Sequence, residues 1–344
     1  MRLFALIAVA APLLMIAAPV FGDWQPVESA KGYRMERIEF EKGARPGQLY
    51  YEQNPVRDDL PSVLAIGPAG EIYVIEPKPG RVQAFSADGK PLSALAPPDV
   101  KGAAHFVNVF PVGANRAKVL LYLKGGRGEP PRYAWFTLHS DTGSIADYAP
   151  LALPPGEGPV AMSFLDRQGF LWLLGNRWTV FAPDGKSVAG AVAQDGTYVD
   201  ANGLLYVPGN ALRLFDRQGK ERASLKFDAE NPVDVRGGEL STLLYGLEAS
   251  LLQDKGRALR ERSNSLVLLR FERQAQLLKV ARLALQPTIL SYPSQNPDFM
   301  VPVQLYLPEL STLRGNYFYI MAHSKDKYWI DRVDLSPWMP RTVR

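Results

Sequence analysis

The sequence has 344 residues and no cysteine, which excludes disulfides, thiolate metal sites, thiol nucleophiles and covalently attached c-type haem. Its 39 basic and 35 acidic residues leave a formal net charge of +4, too small an excess for the concentrated positive field that nucleic-acid binding requires. Such a chain depends on its hydrophobic core for stability, and the about 320 residues beyond the N-terminal apolar run suffice to build one.

Residues 1–22 have the order of a secretory signal peptide. Arg2 gives a short positive region, an apolar stretch follows from Leu3 to Ile16, and small residues close the segment. We predict cleavage after Gly22, localisation in the periplasm or outside the cell, and no membrane span in the mature chain. A retained N-terminal anchor is the alternative, because roughly 20 apolar residues span a bilayer.

Three segments further along the chain share one order of features, which is the signature of an internal repeat. They read AIGPAGEIYVIEPKPGRVQAFSADGKPLSAL from Ala65, FLDRQGFLWLLGNRWTVFAPDGKSVAGAV from Phe164 and YVDANGLLYVPGNALRLFDRQGKERASLKF from Tyr198. In each, a short apolar strand runs into a glycine turn, an aromatic follows three residues later, and a second strand ends in phenylalanine before another tight glycine turn. The matched positions are Gly70, Gly169 and Gly203, then Tyr73, Trp172 and Tyr206, then Phe85, Phe181 and Phe215.

The turns explain why these segments form hairpins. The second turn reads Ala-Asp-Gly at 87–89, Pro-Asp-Gly at 183–185 and Arg-Gln-Gly at 217–219. Such sequences supply the positive φ angles that short turns between antiparallel strands require. A unit of this kind cannot cover both of its faces alone, and radial packing of several units buries them against one another.

The order of turn glycine, aromatic, phenylalanine and Asp-Gly resembles the repeats of the NHL and SMP-30-like six-bladed β-propellers. The resemblance implies an all-β propeller, and we predict six blades of four-stranded antiparallel sheet, with seven blades or a tandem of β-sandwiches as alternatives. Three further blades are placed by strand rhythm and turn chemistry at 105–148, 266–283 and 315–335. A strand-like run between Tyr33 and Tyr51 is a candidate to close the ring.

These elements give a domain division for the whole chain. It consists of a signal peptide at 1–22, an N-terminal segment at 23–59, the propeller at 60–336 and a C-terminal tail at 337–344. One stretch departs from the strand rhythm, because leucines at 240, 243, 244, 247 and 251 follow helical spacing. We predict a short helix near 239–253 that covers a blade edge, with a lid or partner-binding element as the alternative.

Candidate metal ligands are few and scattered in the sequence. The histidines, His105, His139 and His323, fall in three predicted blades and lack the short spacing of a metal-binding pair. The resemblance implies a second set, because lactone-hydrolysing SMP-30-like proteins hold a divalent metal with a glutamate, asparagines and an aspartate at the tunnel mouth. Residues of these types, none in a context that matches the family motif, are Glu76, Asn202, Asn210, Asn264 and Asn296.

The sequence therefore assigns no catalytic residue, no metal ligand and no cofactor. We predict an exported, non-enzymatic binding or scaffold module whose loops on one face hold a periplasmic or extracellular protein, peptide or glycan. The alternative is a metal-dependent hydrolase or lactonase with its site at the tunnel mouth, and a divalent metal is implied only in that case.

Overall fold

The chain is an all-β propeller, and the strands that the structure describes form five sheets. Neighbouring strands pair antiparallel within the sheets, except at one short contact between β17 and β21, whose bounds are given below. The structure, a computed structural model, describes residues 24–27, 34–52, 60–97, 104–124, 132–188, 196, 198–207, 211–227, 234–239, 243–252, 261–272, 277–284, 305–324 and 326–336.

The first ten strands comprise an N-terminal pair and two complete four-stranded sheets. The N-terminal pair is β1 (Gln25–Val27) and β2 (Met35–Glu41). The first complete sheet holds β3 (Val63–Ile66), β4 (Ile72–Glu76), β5 (Arg81–Phe85) and β6 (Pro91–Leu95). The second holds β7 (Ala104–Gly113), β8 (Arg116–Leu123), β9 (Arg132–His139) and β10 (Ser144–Leu151).

The next eleven strands form a three-stranded and an eight-stranded sheet. The three-stranded sheet holds β11 (Met162–Leu165), β12 (Leu171–Leu174) and β13 (Trp178–Phe181). One half of the eight-stranded sheet holds β14 (Tyr198–Val199), β15 (Leu205–Val207), β16 (Ala211–Phe215) and β17 (Glu221–Phe227). The other half holds β18 (Asp234–Glu239), β19 (Leu243–Leu252), β20 (Glu261–Glu272) and β21 (Leu277–Ala284), and joins the first by the parallel pairs Lys226–Leu277 and Phe227–Leu278.

The last sheet joins the first and last strands that the structure describes. It holds β22 (Leu305–Arg314), β23 (Tyr317–His323) and β24 (Lys327–Asp334), followed by β2 and β1. β2, which lies within residues 33–51, pairs with β24 along its whole length. Arg37 Nε and Nη2 donate to the two carboxylate oxygens of Asp331 at 2.7 and 2.9 Å, and Asp331 is fully buried.

The predicted helix near 239–253 is wrong, because Leu243–Leu252 form the strand β19 between β18 and β20. Leucines at 243, 247 and 251 satisfy helical spacing, but the same run also carries an apolar residue at every second position from Leu243 to Leu251. Both periods therefore fit this segment, and pairing with two neighbouring strands decides between them.

The turn glycines and aromatic residues of the predicted repeats occupy the turns and the buried strands of the sheets. The glycines of the first turns have positive φ angles, and the aromatics that follow them are buried in the sheets. The φ angles are 91° at Gly70, 82° at Gly169 and 75° at Gly203, and Tyr73, Trp172 and Tyr206 are at most 1% exposed.

The core lies between the faces of consecutive sheets. One cluster joins the first and second sheets through Tyr73, Val82 and Phe136, and another joins the second and third through Trp135 and Leu171. The first strands also adjoin in a closed order: β3 lies beside β7, β7 beside β11, β11 beside β14, β14 beside β18, β18 beside β22, and β22 beside β3. Radial packing therefore buries both faces of a sheet, which a single repeat unit cannot do alone. The number of blades and the domain boundaries stay predictions.

Two turn glycines with the same backbone conformation offer a direct test of ring closure. Gly89 has φ 77° and Gly219 has φ 75°, but a Cβ at Gly89 would overlap Ile38 Cδ1 on β2, whereas nothing lies within 4 Å of a Cβ at Gly219. Gly219→Ala is expected to cost about 1–2 kcal/mol for the left-handed conformation alone. Gly89→Ala is expected to cost about 1–3 kcal/mol more from overpacking, measured by urea unfolding. Equal losses of unfolding free energy in the two variants would show that Ile38 of β2 does not pack tightly against the turn at Gly89.

Candidate functional site

The connections between sheets lie at the same end of the ring as the turns that join the second and third strands of each sheet, because the first strand begins, the second ends and the third begins at one end of an antiparallel sheet. We call this end the connector face. In the described part of the chain, it includes residues 42–52, 77–80, 152–161 and 175–177 and the strand ends at His105, Tyr122 and Tyr133.

A buried carboxylate holds the first connection onto its sheet. Glu76 is 1% exposed at the end of β4, and its Oε2 accepts from Arg81 Nε and from Gln83 Nε2, each at 2.6 Å. Its Oε1 accepts from the backbone N–H of Tyr50. Arg81 Nη2 and Gln83 Nε2 also donate to the carbonyl of Gln48, at 3.0 and 2.6 Å. The charge of Glu76 is thus paired, and the network fixes residues 44–50 against the β4–β5 hairpin.

A second buried carboxylate also joins a connection to a sheet, but here the carboxylate belongs to the connection and the arginine to the turn. Glu157 belongs to the connection between β10 and β11 and is 8% exposed. Its Oε1 accepts from Arg177 Nε at 2.5 Å, and its Oε2 accepts from the backbone N–H of Asn176 at 3.1 Å, both in the β12–β13 turn. Asn176 Nδ2 also donates to the carbonyl of Gly156 at 2.8 Å. Two connections of the connector face are therefore fixed by glutamate–arginine pairs.

A lysine and three rings form a cluster where β2 ends beside β24. Lys42 Nζ lies 3.3 Å from the ring centroid of Tyr51 and 5.1 Å from that of Tyr328. The same ammonium lies 3.4 Å from Nδ1 of His323, which is 4% exposed. A cation so close to the imidazole opposes a metal ion at this nitrogen, since like charges repel. His323 therefore belongs to a cation–aromatic packing cluster.

Three rings follow one another across the second sheet at the connector face. His105, Tyr122 and Tyr133 occupy directly paired positions on β7, β8 and β9, which places their side chains on one face of the sheet. His105 stacks on Tyr122 with centroids 4.9 Å apart and an interplanar angle of 29°, and Tyr122 meets Tyr133 edge-on at 5.4 Å. His105 is exposed, Tyr122 is half-buried and Tyr133 is buried.

The buried end of this ring series is anchored to a connection. The hydroxyl of Tyr133 accepts the backbone N–H of Val160 at 2.8 Å, and burial raises the pKa of this hydroxyl. Next to the series, Asn108 Nδ2 on β7 donates to the carbonyl and the hydroxyl of Ser163 on β11, at 3.1 and 3.0 Å. Met162, immediately before Ser163, is 39% exposed. His105 is therefore the exposed end of a ring series whose buried end is held by a backbone hydrogen bond.

Of the glutamate and asparagines considered for a metal site, Glu76 and Asn202 lie at opposite ends of their sheets. Glu76 pairs with Arg81 at the connector face, whereas Asn202 lies in the β14–β15 turn at the opposite end, with its backbone N–H on the carboxylate of Asp200. Asn264 lies in β20. Asn210 and Asn296 lie outside the described residues.

The three histidines also lie apart. His105 is at the connector end of β7, His139 is at the far end of β9 opposite Arg116, and His323 is in the last sheet. Among the residues that the structure describes, no group of three or more histidine, aspartate or glutamate side chains is placed to hold a metal ion. In the same residues, no helix has the length and apolar character needed to cross a bilayer.

No family model matches the chain, and no curated protein does. Among solved structures, virginiamycin B lyase from Staphylococcus aureus is similar over 88% of this chain and 99% of its own, with 11% identity and a TM-score of 0.46. A protein of unknown function from Bacteroides thetaiotaomicron is similar over 87% of this chain and 76% of its own, with 11% identity and a TM-score of 0.48. Such values carry no conclusion about family or function, and the fold rests on strand order and pairing.

Proposed function

We propose that this protein is an exported, non-enzymatic binding module that holds a periplasmic or extracellular protein, peptide or glycan at its connector face. The observation that supports this is the ring series of His105, Tyr122 and Tyr133, which is exposed at one end and tied to the backbone at the other. A rigid base reduces the entropy lost on binding, and exposed rings supply contact area with few torsions to fix.

The buried charges of the connector face support a scaffold role for its loops. Glu76 and Glu157 each pair with an arginine and accept backbone N–H groups from the segments they hold. In a propeller with this arrangement, loops that contact a partner are positioned by the sheets beneath them, and function resides in these loops rather than in the fold.

We propose six blades and a kinship with the NHL and SMP-30-like propellers for the ring itself. Two observations support six: the closed order of six first strands, and the division of the eight-stranded sheet into two antiparallel halves joined by two parallel pairs. The proposed export depends on cleavage after Gly22, and mass spectrometry of the N-terminus of the mature protein tests it.

Binding is tested with the mature protein immobilised and exposed to three panels: envelope proteins, short peptides and a glycan array. Saturable binding to a member of one panel is the expected result, with the heat-unfolded protein as control. Absence of binding in all three panels would contradict the proposal. Thermal stabilisation by calcium, zinc or manganese, together with hydrolysis of a lactone, would instead favour the metal-dependent hydrolase.

A further inference from the structure

The β14–β15 turn carries an asparagine whose neighbour suits it to modification without an enzyme. Asn202 is exposed, and it is the one asparagine in the sequence that a glycine follows. The backbone nitrogen of the next residue is the nucleophile that attacks an asparagine side-chain amide, and glycine has no Cβ to hinder its approach. We name residues 200–204 the Asn202 turn.

Hydrogen bonds within the Asn202 turn restrain the attacking nitrogen. The backbone N–H of Gly203 donates to the carbonyl of Asp200 at 3.0 Å, and Gly203 has φ 75°. Oδ1 of Asp200 accepts the backbone N–H groups of Asn202 and Leu204, at 2.8 and 3.0 Å. Attack on Asn202 Cγ requires the Gly203 nitrogen to lose its proton, which the hydrogen bond to Asp200 holds in place. The closed turn therefore opposes the reaction.

The third sheet holds the Asn202 turn closed from outside. The backbone N–H of Arg167 in the β11–β12 turn donates to the carbonyl of Ala201 at 2.8 Å. Asp166 Oδ2 and Arg217 Nη2 form an ion pair at 2.7 Å. A Cβ at Gly203 would lie 2.8 Å from the first of these atoms and 2.9 Å from the second, so the backbone of Gly203 packs directly on the pair. We expect the Asn202 turn to open when this contact between the third and fourth sheets separates.

We propose that Asn202 is a deamidation site controlled by the contact between the third and fourth sheets. In the open turn, the nitrogen of Gly203 bonds to Asn202 Cγ, the Cγ–Nδ2 bond breaks, and the proton of the nitrogen leaves with the ammonia. Water then opens the cyclic imide to aspartate or isoaspartate.

The products are expected to keep the sheet contact open. Both add a negative charge to a turn that already holds the carboxylate of Asp200 and packs on that of Asp166, and like charges repel. Isoaspartate also lengthens the backbone by one CH2 group, which displaces the N–H of Gly203 from the carbonyl of Asp200. The reaction thus converts a transient opening of two sheets into a lasting one.

The test follows the deamidation rate of the mature protein at mildly alkaline pH, by peptide mapping with mass spectrometry. A synthetic peptide of residues 198–207, YVDANGLLYV, gives the rate without the fold. Asn202 is expected to react at least about tenfold more slowly in the folded protein than in the peptide. Asp166→Ala and Arg217→Ala are each expected to raise the rate in the protein at least about tenfold, because they remove the ion pair beside the turn.

Glu76→Ala is the control for overall stability, because it breaks a buried ion pair in the first sheet, at the opposite end of the ring from the Asn202 turn. It is expected to leave the rate at Asn202 unchanged, and urea unfolding verifies that each variant is folded. Should Asp166→Ala fail to fold, Arg217→Ala provides the test, since it leaves the turn hydrogen bonds of Asp166 in place.

The rates distinguish local opening of the sheet contact from global unfolding. Slow reaction in the folded protein, with acceleration by the ion-pair variants and not by Glu76→Ala, supports the proposal. Equal acceleration by Glu76→Ala and Arg217→Ala would assign the control to global unfolding and overturn it. A rate in the folded protein equal to that in the peptide, or no acceleration by either ion-pair variant, would overturn it as well.

Discussion

Replacing Glu76 with alanine is expected to lower the free energy of unfolding by about 3–5 kcal/mol, the range for removing one partner of a buried ion pair. The loss is large because the guanidinium of Arg81, whose side chain is 10% exposed, would keep its burial and lose its carboxylate. The backbone N–H of Tyr50 would lose its acceptor as well. Urea unfolding of the mature protein measures the change.

The control for Glu76→Ala is a carboxylate of the same connection that lies in solvent. Glu52 pairs with Lys78 at 3.3 Å, and both side chains are 49% exposed. Exposed pairs of this kind contribute about 0–1 kcal/mol, so Glu52→Ala is expected to change stability little. Hydrogen exchange gives a local readout, because the amide of Tyr50 donates to Glu76 and the amide of Gly47 donates to Gln83, which itself donates to Glu76. Both amides should exchange faster in Glu76→Ala alone. Equal stability losses in the two variants would mean that the buried network does not hold the connection.

The sheets were predictable from the sequence wherever local turn chemistry defines them. Strand ends can be located from local sequence where a turn requires a backbone conformation that only a few residue types adopt. Such turns are those at Gly70, Gly169 and Gly203 and the Asp-Gly turns. The segment Leu243–Leu252 lacks such signals, because its apolar residues fit helix and strand alike. Pairing with β18 and β20 is a long-range fact that no local pattern contains.

The candidate site also contains one feature that local sequence could predict and one that it could not. Glu76 and Arg81 flank the turn Pro-Lys-Pro-Gly, so their pairing across a hairpin could have been inferred from opposite charges at directly paired positions. The alignment of His105, Tyr122 and Tyr133 could not have been inferred from the sequence. Its members come from three strands, and the register that aligns them depends on bulges at 106–108 and 111–113 that shift β7 against β8. A one-residue slip would place the rings on different faces of the sheet.

Asp166→Ala is expected to lower the free energy of unfolding by about 3–5 kcal/mol, because Asp166 is one partner of a buried ion pair. Its side chain is fully buried in the β11–β12 turn. Its Oδ1 accepts two backbone N–H groups of its own turn at 2.9 and 3.0 Å. Its Oδ2 accepts from Trp172 Nε1 at 3.2 Å and from Arg217 Nη2 of the following sheet at 2.7 Å. The variant would leave the guanidinium of Arg217, which is 16% exposed, without its carboxylate.

Asp216 provides the matched control for Asp166, because its Oδ1 caps a turn through the same two backbone hydrogen bonds, at 3.0 and 2.9 Å. Its Oδ2 instead accepts from Arg222, whose side chain is 52% exposed. Asp216→Ala is therefore expected to cost only about 1–2 kcal/mol, for a turn cap and a surface pair. The difference in unfolding free energy between the two variants measures the contact between sheets.

A double-mutant cycle of Asp166→Ala with Arg217→Ala should show strong coupling, because the double variant leaves no buried guanidinium without its carboxylate. Additive losses, or equal losses for Asp166→Ala and Asp216→Ala, would assign the stability of this region to the turns and not to the packing of neighbouring sheets.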